Sequence, residues 1–330
     1  MKNERGVILI VVVWALTLLM VIAAEMAHTM RLEGLTANTY EEEVVTYYLA
    51  MAGLHRALYQ LARAQQRGLT MLNQPGALGQ RQQQQEGELD VWARGDGRWQ
   101  SEEFGAGGYW VRVNDEGGKL NLNQMDETAL RQTFTNLGFD AQFGEALTDA
   151  ILDWRDTDPL THLHGAESDY YLTLPVPYPA KDGPFDTLDE LLLVRGVTPA
   201  LFYGGLREVF SVYSNTGGGS TNLLTAGPLV LQAVLGIDAA AAQDLVQRRA
   251  ENNSADLANF MPKGAGGGTN FNLPTVVTIE SLGYLNTGGV TRQLSAVVQR
   301  TGVNQFRFLR WQDRREGTVA PPASQPSQAG

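Results

Sequence analysis

Residues 1–25, MKNERGVILIVVVWALTLLMVIAAE, decide the fold because they join a short charged leader to an apolar run. Lys2 and Arg5 lie in the leader, and the 18 residues 7–24 carry no charge before Glu25. A helix rises about 1.5 Å per residue, so this run can cross a hydrocarbon core of roughly 30 Å. It is also longer than the apolar region of a secretory signal peptide, about 7–15 residues. The run therefore predicts a membrane-anchoring helix.

The helical pattern continues beyond the apolar run. No proline occurs before Pro75, so nothing in the sequence breaks a helix over this stretch. Apolar residues recur at steps of three and four, which places them on one helix face. They are Val44, Tyr48, Met51, Leu54, Leu58 and Leu61. We predict one helix over residues 7–67, apolar over 7–24 and amphipathic afterwards.

Strand patterns flank a long helical region. Apolar and polar side chains alternate in five stretches, as they do in half-buried antiparallel strands. These stretches are residues 88–94, 108–113, 275–285, 292–302 and 304–312. Residues 120–263 have a helical pattern, and glycines at 264–268 mark its end. This order predicts a helical domain inserted between strands of a small antiparallel sheet.

The composition suits an extracytoplasmic protein on a membrane anchor. Of 330 residues, 43% are hydrophobic and 18% are charged, so the chain can bury one large core or two modest ones. The formal net charge of −11 disfavours binding to phosphate backbones and anionic lipid heads. Cysteine is absent, which excludes disulfides, thiol catalysis and thiolate zinc sites.

The leader that ends in Gly6 resembles the class III leader of type IV pilins and type II secretion pseudopilins. In those proteins a prepilin peptidase cuts after the glycine, which here implies cleavage between Gly6 and Val7 and N-methylation of Val7. Most members carry glutamate at the fifth mature position, where this chain has Val11. In that departure the chain is similar to the K-type minor pseudopilins, which lack the glutamate. An ordinary signal anchor is the alternative interpretation of this segment.

Four further stretches are similar to the K-type minor pseudopilins in their sequences and in their order along the chain. They are VNDEGGKLNLN (113–123), LTDAILDWRDTD (147–158), GAESDYY (165–171) and GPFDTLDELLLVRGVTPALF (183–202). The resemblance implies an α+β fold: a pilin-like long N-terminal helix packed on a small antiparallel sheet, with a large inserted all-α domain. The expected parts are a leader peptide (1–6), the anchoring helix (7–67), the first part of the pilin-like module (68–119), the inserted α-domain (120–263), the C-terminal strands of the pilin-like module (264–316) and a disordered tail (317–330).

The predicted α-domain contains an internal repeat. Residues 137–155 begin with LGFD and residues 235–250 begin with LGID, in each case before a predicted helix. Residues 185–202 are a degenerate copy. Each copy is predicted as two helices joined by a glycine turn, as in helix-hairpin-helix motifs. The turn glycines are Gly138, Gly236 and Gly196. Such motifs hold DNA phosphates in many proteins, but residues 149–190 carry ten acidic and two basic side chains, which disfavours nucleic-acid binding.

An acidic cluster follows the first of these repeats. Its members are Asp153, Asp156, Asp158, Glu167 and Asp169. Hard oxygen ligands at uneven loop spacings suit Ca²⁺, although Leu160 stands where an EF-hand would carry a loop carboxylate and so excludes that motif. The family resemblance also implies Ca²⁺ in this region, so we predict that these five residues bind structural Ca²⁺. The alternative is a solvated acidic face, with Asp149 and Asp153 in capping or salt-bridge roles.

Other chemistry finds little support in the sequence. His162 and His164 lie beside the acidic cluster, but an H-x-H pair alone is weak evidence for zinc, and we interpret both as surface-loop histidines. The sequence has no nucleophile elbow, Walker A loop, HExxH motif or dinucleotide-binding fingerprint. We therefore predict no catalytic residues and no enzymatic activity.

The resemblance implies a minor pseudopilin of the type II secretion system, at the tip of a pseudopilus built from the major pseudopilin. There it would join the I- and J-type minor pseudopilins, initiate assembly and limit fibre growth during protein export. Val11 supports the tip position, because a subunit that cannot pair with a neighbour's buried ammonium is poorly suited to the fibre body. The precursor is expected in the inner membrane, with most of the chain in the periplasm. The alternative is a membrane-tethered helix-hairpin-helix protein of DNA uptake.

Overall fold

The structure is a computed structural model that describes most of the chain. The described residues are 4–72, 95–213, 221–223, 225–251, 274–302 and 304–316. The predicted strand at 88–94, the glycines at 264–268 and the tail at 317–330 lie outside them.

Helices and strands alternate irregularly along the described residues. The helices are α1 (Glu4–Leu72), α2 (Glu127–Asn136), α3 (Ala141–Arg155), α4 (Ser168–Tyr171), α5 (Pro199–Leu201), α6 (Arg207–Val209), α7 (Pro228–Leu235) and α8 (Ala239–Glu251). The strands are β1 (Gln100–Phe104), β2 (Gly107–Asp115), β3 (Leu120–Asn121), β4 (Phe210–Ser211), β5 (Val276–Leu285), β6 (Thr291–Gly302) and β7 (Gln305–Glu316). Short 3₁₀ turns occupy Glu116–Gly118 and Leu188–Leu193, and a π-type segment, Phe202–Leu206, joins α5 to α6.

Helix α1 is one helix whose two parts meet different surroundings. Its first part is exposed and has a mean hydropathy of 2.7, which makes α1 the one helix in the described ranges apolar and long enough to cross a membrane. Its second part packs on the sheet, where Ala50 and Leu54 are buried. The contact is close, since a Cβ built on Gly53 would lie 2.3 Å from Ser281 Oγ. The long N-terminal helix is confirmed, and it extends beyond both predicted ends.

The main sheet has five antiparallel strands in the order β1-β2-β5-β6-β7. Strands β2 and β5 are neighbours in the sheet, with Val111 opposite Ser281. They are far apart in sequence, because β2 ends at Asp115 and β5 begins at Val276. The sheet face under α1 contributes a first core, which includes Val111, Ile279, Leu294 and Ala296. The predicted small antiparallel sheet is therefore confirmed.

Strand β1 is absent from our sequence predictions. Its sequence, QSEEF, is polar and mostly exposed, so it shows no apolar alternation. It forms because the hydrogen-bonding edge of β2 is available to it, with Gln100 opposite Val111 and Phe104 opposite Gly107.

The inserted residues between β2 and β5 have a second core of their own, which includes Phe134, Trp154, Tyr171 and Phe210. The expectation of an all-α insertion is wrong in one detail, because β3 and β4 form a short parallel pair with Leu120 opposite Phe210. A pair of two-residue strands is too short to leave a periodic signal in the sequence.

The stretch between α3 and α5 is less helical than predicted. It contains the one-turn helix α4 and the 3₁₀ turn Leu188–Leu193. Five prolines lie between residues 159 and 184, and proline cannot donate the backbone hydrogen bond that a helix interior needs. The acidic residues of this stretch therefore lie mainly on loops.

The three predicted turn glycines all have left-handed backbones, with φ of 80° at Gly138, 85° at Gly196 and 64° at Gly236. Gly138 separates α2 from α3, and Gly236 separates α7 from α8. The degenerate copy differs, because a 3₁₀ turn replaces its first helix. The assignment of these turns as helix-hairpin-helix motifs stays a prediction.

Candidate functional site

Helix α3 positions the start of the acidic cluster. Asp140 caps the helix, accepting a hydrogen bond from the Phe143 N–H (3.2 Å). Asp149 and Asp153 lie four residues apart and so share a helix face, and their side chains are 2% and 0% exposed. Buried carboxylates need partners, so the residues around these two define the site.

Both buried carboxylates bind the loop that follows α3. Asp149 accepts hydrogen bonds from the Arg131 guanidinium (2.9 Å) and from the backbone N–H of His164 (3.0 Å). Asp153 accepts one from the backbone N–H of His162 (3.1 Å), and the His162 imidazole Nδ1 contacts the same carboxylate. That imidazole contact raises the pKa of His162. His162 is thus part of the cluster, which our interpretation of it as a plain surface-loop histidine missed.

The loop passes too close to Asp153 for a side chain at position 165. A Cβ built on Gly165 would lie 1.9 Å from Asp153 Oδ2. Arg195 holds the same turn from another element, donating a hydrogen bond to the carbonyl oxygen of Gly165 (2.8 Å). The loop is therefore folded tightly around the Asp153 carboxylate.

Two buried carboxylate oxygens have no hydrogen-bond partner among the described residues, Asp156 Oδ1 and Glu167 Oε1. Burial and the charges of Asp153 and Asp156 raise the pKa of Glu167 to about 7. Burial and the charges of Asp158 and Asp153 also raise the pKa of Asp156. An unpaired buried oxygen is unfavourable, so these two oxygens are candidate ligands for a cation.

The cluster fits a cation that prefers oxygen ligands. Ligand atoms of Asp153, Asp156 and His162 all lie within 4.8 Å of one another. The unpartnered oxygen of Glu167 adds a third carboxylate. Ca²⁺ accepts such carboxylates together with backbone carbonyls and water, whereas zinc sites use three or four defined nitrogen, sulfur or oxygen ligands. The His162 nitrogen suits zinc, but the other donors are carboxylate oxygens, which fit Ca²⁺ better.

The five predicted ligands are not equivalent in the structure. The charges of Asp153, Asp156 and Asp158 all contribute to the raised pKa of Glu167, so these four carboxylates lie near one another. Asp169 is the second residue of α4, and its Oδ1 accepts a hydrogen bond from the N–H of Tyr170 (2.8 Å). Its role as a ligand stays a prediction.

Asp182 also lies near the cluster, although we did not predict it there. Its charge contributes to the raised pKa of Glu167, although it lies 15 residues further along the chain. No spacing pattern links the two, because an irregular loop brings them together. Asp182 has a φ of 52°, a conformation that aspartate adopts more readily than most residues.

The predicted processing site lies in the first turns of α1. Gly6 and Val7 belong to the helical backbone, and the Val11 side chain is 60% exposed in the apolar part. The apolar helix is compatible with a membrane anchor. Cleavage between Gly6 and Val7 and N-methylation of Val7 stay predictions.

Sequence comparisons agree on one family. The sequence model described as "Type II secretion system (T2SS), protein K" matches residues 113–214. Type II secretion system protein K of Klebsiella pneumoniae is 27% identical over 282 residues, which are 80% of each chain. Type II secretion system protein K of Pectobacterium carotovorum subsp. carotovorum is 32% identical over 130 residues, 38% of this chain and 40% of the relative.

The fold comparison points the same way. The structure is similar to a chain in the crystal structure of the GspK-GspI-GspJ complex from the enterotoxigenic Escherichia coli type 2 secretion system. The TM-score is 0.57 at 16% sequence identity, and the match covers 85% of this chain and 99% of that chain. At this identity the similarity shows a shared fold.

Proposed function

We propose that this chain, which belongs to the family of type II secretion system protein K, is a non-enzymatic minor pseudopilin that joins I- and J-type minor pseudopilins. The observation that carries the proposal is the insertion of a domain with its own core between β2 and β5 of a sheet packed on a membrane-length helix. A chain with this fold was crystallised in a GspK-GspI-GspJ complex, which supports the same two kinds of partner here.

Helix α1 would serve first as a membrane anchor and then as a packing element. The exposed apolar part would hold the precursor in the inner membrane, with the sheet and the α-domain in the periplasm. Cleavage by a prepilin peptidase would release Val7 as the new terminus. The apolar part would then pack against helices of neighbouring pseudopilins, because it is too apolar to remain in water.

Two features support a position at the tip of the pseudopilus. Val11 provides no carboxylate to neutralise the terminal ammonium of a neighbouring subunit, and an unpaired buried charge is costly. The inserted domain adds bulk beside the sheet, where it would obstruct the next subunit. The same obstruction would limit fibre growth, whereas a complex with the I- and J-type subunits would start it.

Co-expression tests this assignment. The full-length chain would be produced with I- and J-type minor pseudopilins and a prepilin peptidase, extracted in mild detergent and analysed by native mass spectrometry. We expect one copy of each pseudopilin in a single complex. Co-expression with the major pseudopilin alone is the control and should give no such complex. Failure to join the I- and J-type subunits, together with DNA retardation at low salt, would favour the DNA-uptake alternative.

We further propose that Ca²⁺ is a structural cofactor of the acidic cluster. Asp153, Asp156, Asp158 and Glu167 would hold it, with Asp169 as the fifth predicted ligand. The ion would add positive charge among these carboxylates and engage the unpartnered oxygens. It would thereby fix the loop in a chain that has no disulfides.

Metal removal tests this part of the proposal. Binding to the native state alone stabilises it by about 2.7 kcal/mol at a hundredfold excess over Kd. The full-length chain in detergent micelles should therefore melt later in millimolar Ca²⁺ than in chelator, and the double variant Asp156→Ala, Asp158→Ala should lose the difference. Asp244→Ala, which removes an exposed carboxylate of α8, is the control and should keep it. Equal melting in Ca²⁺ and chelator, or stronger stabilisation by Zn²⁺, would contradict the assignment.

A further inference from the structure

Strand β7 forms an edge of the main sheet whose outer side is unpaired in the described ranges. It pairs with β6 on one side and ends the strand order. An unpaired edge presents backbone donors and acceptors to any extended segment that fits it. At 12 residues β7 offers more of them than β1, the opposite edge strand, which has five.

One face of β7 carries half-exposed aromatic side chains. Phe308 lies opposite Val298 and Trp311 opposite Ala296, and both partners belong to the core under α1. Helix α1 packs mainly on β2, β5 and β6. The two aromatic rings of β7 therefore lie on the same face of the sheet but beside the helix. Phe308 remains 48% exposed and Trp311 41%, with their ring centroids 5.9 Å apart in an edge-to-face contact. These rings form an apolar ridge along the sheet edge.

The other face of β7 carries arginines. Arg307, Arg310 and Arg314 alternate with the aromatic residues along the strand, in a chain whose formal net charge is −11. Arg310 binds Asp189 of the α-domain, whereas Arg307 is exposed. Arginine on an edge strand opposes random pairing with like edges. It favours a partner strand with acidic side chains at matching positions.

We propose that β7 is a docking edge for an extended segment of a partner chain in which apolar and acidic residues alternate. A segment added to this edge would place its apolar side chains beside Phe308 and Trp311. Its acidic side chains would lie on the opposite face, beside Arg307 and Arg314. Leu309 is left unpaired by a register shift and forms a bulge, which makes the edge irregular and further restricts what can pair with it. The surface is separate from the acidic cluster and from the apolar part of α1, so the inference does not depend on the tip position or on Ca²⁺.

Hydrogen exchange of the full-length chain in detergent micelles tests this proposal. The probe is a synthetic peptide in which glutamate and valine alternate. At saturation it should slow exchange in residues 305–316 by about tenfold or more and leave β1 unchanged. Two control peptides should give no protection. One alternates lysine and valine, and the other is the glutamate peptide with every backbone nitrogen methylated, which removes the donors from both edges of the strand.

Matched variants separate the two faces of the strand. Arg307→Glu should abolish protection by the glutamate peptide, whereas Arg63→Glu, the same charge change on an exposed arginine of α1, should not. Phe308→Ser should weaken binding at least fivefold by removing apolar contact, whereas Phe104→Ser, an exposed phenylalanine on the opposite edge strand, should leave it unchanged.

Several results would overturn the proposal. Protection by the methylated peptide would mean that the backbone edge is not used. Protection of β7 by anionic phosphatidylglycerol vesicles and not by the peptide would assign the surface to a membrane. Concentration-dependent protection without peptide would assign it to a second copy of this chain.

Discussion

Replacing Glu167 with glutamine should raise the free energy of unfolding at alkaline pH without Ca²⁺ and lower it in saturating Ca²⁺. The pKa of Glu167 is raised from its ordinary 4.5 to about 7, because burial and the surrounding carboxylates disfavour its charge. One pKa unit corresponds to about 1.4 kcal/mol, so holding this carboxylate ionised in the metal-free fold costs about 3 kcal/mol.

The direction of the pKa shift fixes the sign of the pH dependence. The folded chain holds the Glu167 proton more tightly than the unfolded chain does, so this contribution to stability is complete below pH 4.5 and is lost as the pH rises through about 7. Glu167→Gln keeps the side-chain shape and removes the charge. The metal-free variant should match the parent at acidic pH and exceed its free energy of unfolding by about 3 kcal/mol at about pH 8. In saturating Ca²⁺ the parent should be the more stable, because the variant has lost a charged ligand.

Guanidinium titration of the full-length chain in detergent micelles measures these differences. Trp154 reports on the α-domain, since its ring contacts Tyr171 at a centroid distance of 5.1 Å. Glu103→Gln, which removes an exposed carboxylate of β1, is the control and should have little effect at either pH. An equal change in stability at both pH values, or a change in the same direction with and without Ca²⁺, would contradict this prediction.

Three further predictions concern processing, assembly and the loop. Gly6→Val should leave an uncut precursor in the membrane. Mass spectrometry of the unmodified protein should find a mature chain that begins at methylated Val7, and an intact Met1 would contradict this. Val11→Glu should be tolerated in the membrane without fibre formation, and long fibres of the unmodified chain alone in electron micrographs would count against the tip position. Gly165→Ala should destabilise the fold by about 1–3 kcal/mol in thermal melts, because its Cβ meets a carboxylate oxygen at 1.9 Å. Gly204→Ala, where no atom lies within 4 Å of the added Cβ, should cost much less.

The sequence predicts those parts of the fold that repeat a simple pattern. Helix α1 is visible because apolar residues follow a helical step over many turns, and β2, β5, β6 and β7 are visible because apolar and polar residues alternate along parts of each strand. Strand β1 has no such signal, since its side chains are polar and its pairing depends on the edge that β2 offers. The parallel pair of β3 and β4 is set by tertiary contacts between residues far apart in sequence.

The candidate site is only partly predictable for a related reason. Residue type and rough proximity select Asp153, Asp156 and Glu167 as candidate ligands, because carboxylates concentrated in a proline-rich stretch must share a small volume. The contribution of His162 depends on the loop turning back onto Asp153, which no periodicity encodes. The contribution of Asp182 likewise depends on the path of an irregular loop.

The position of this chain in an assembled pseudopilus decides whether it is a tip subunit. Fibres would be grown in cells that produce the major pseudopilin together with the I-type, J-type and present chains. A gold label would be bound to a short tag after Gly330 and located by electron microscopy. We expect one label at one end of each fibre and none along its length. Labels distributed along the shaft would contradict it, because they would show that neither Val11 nor the inserted domain excludes the chain from the fibre body.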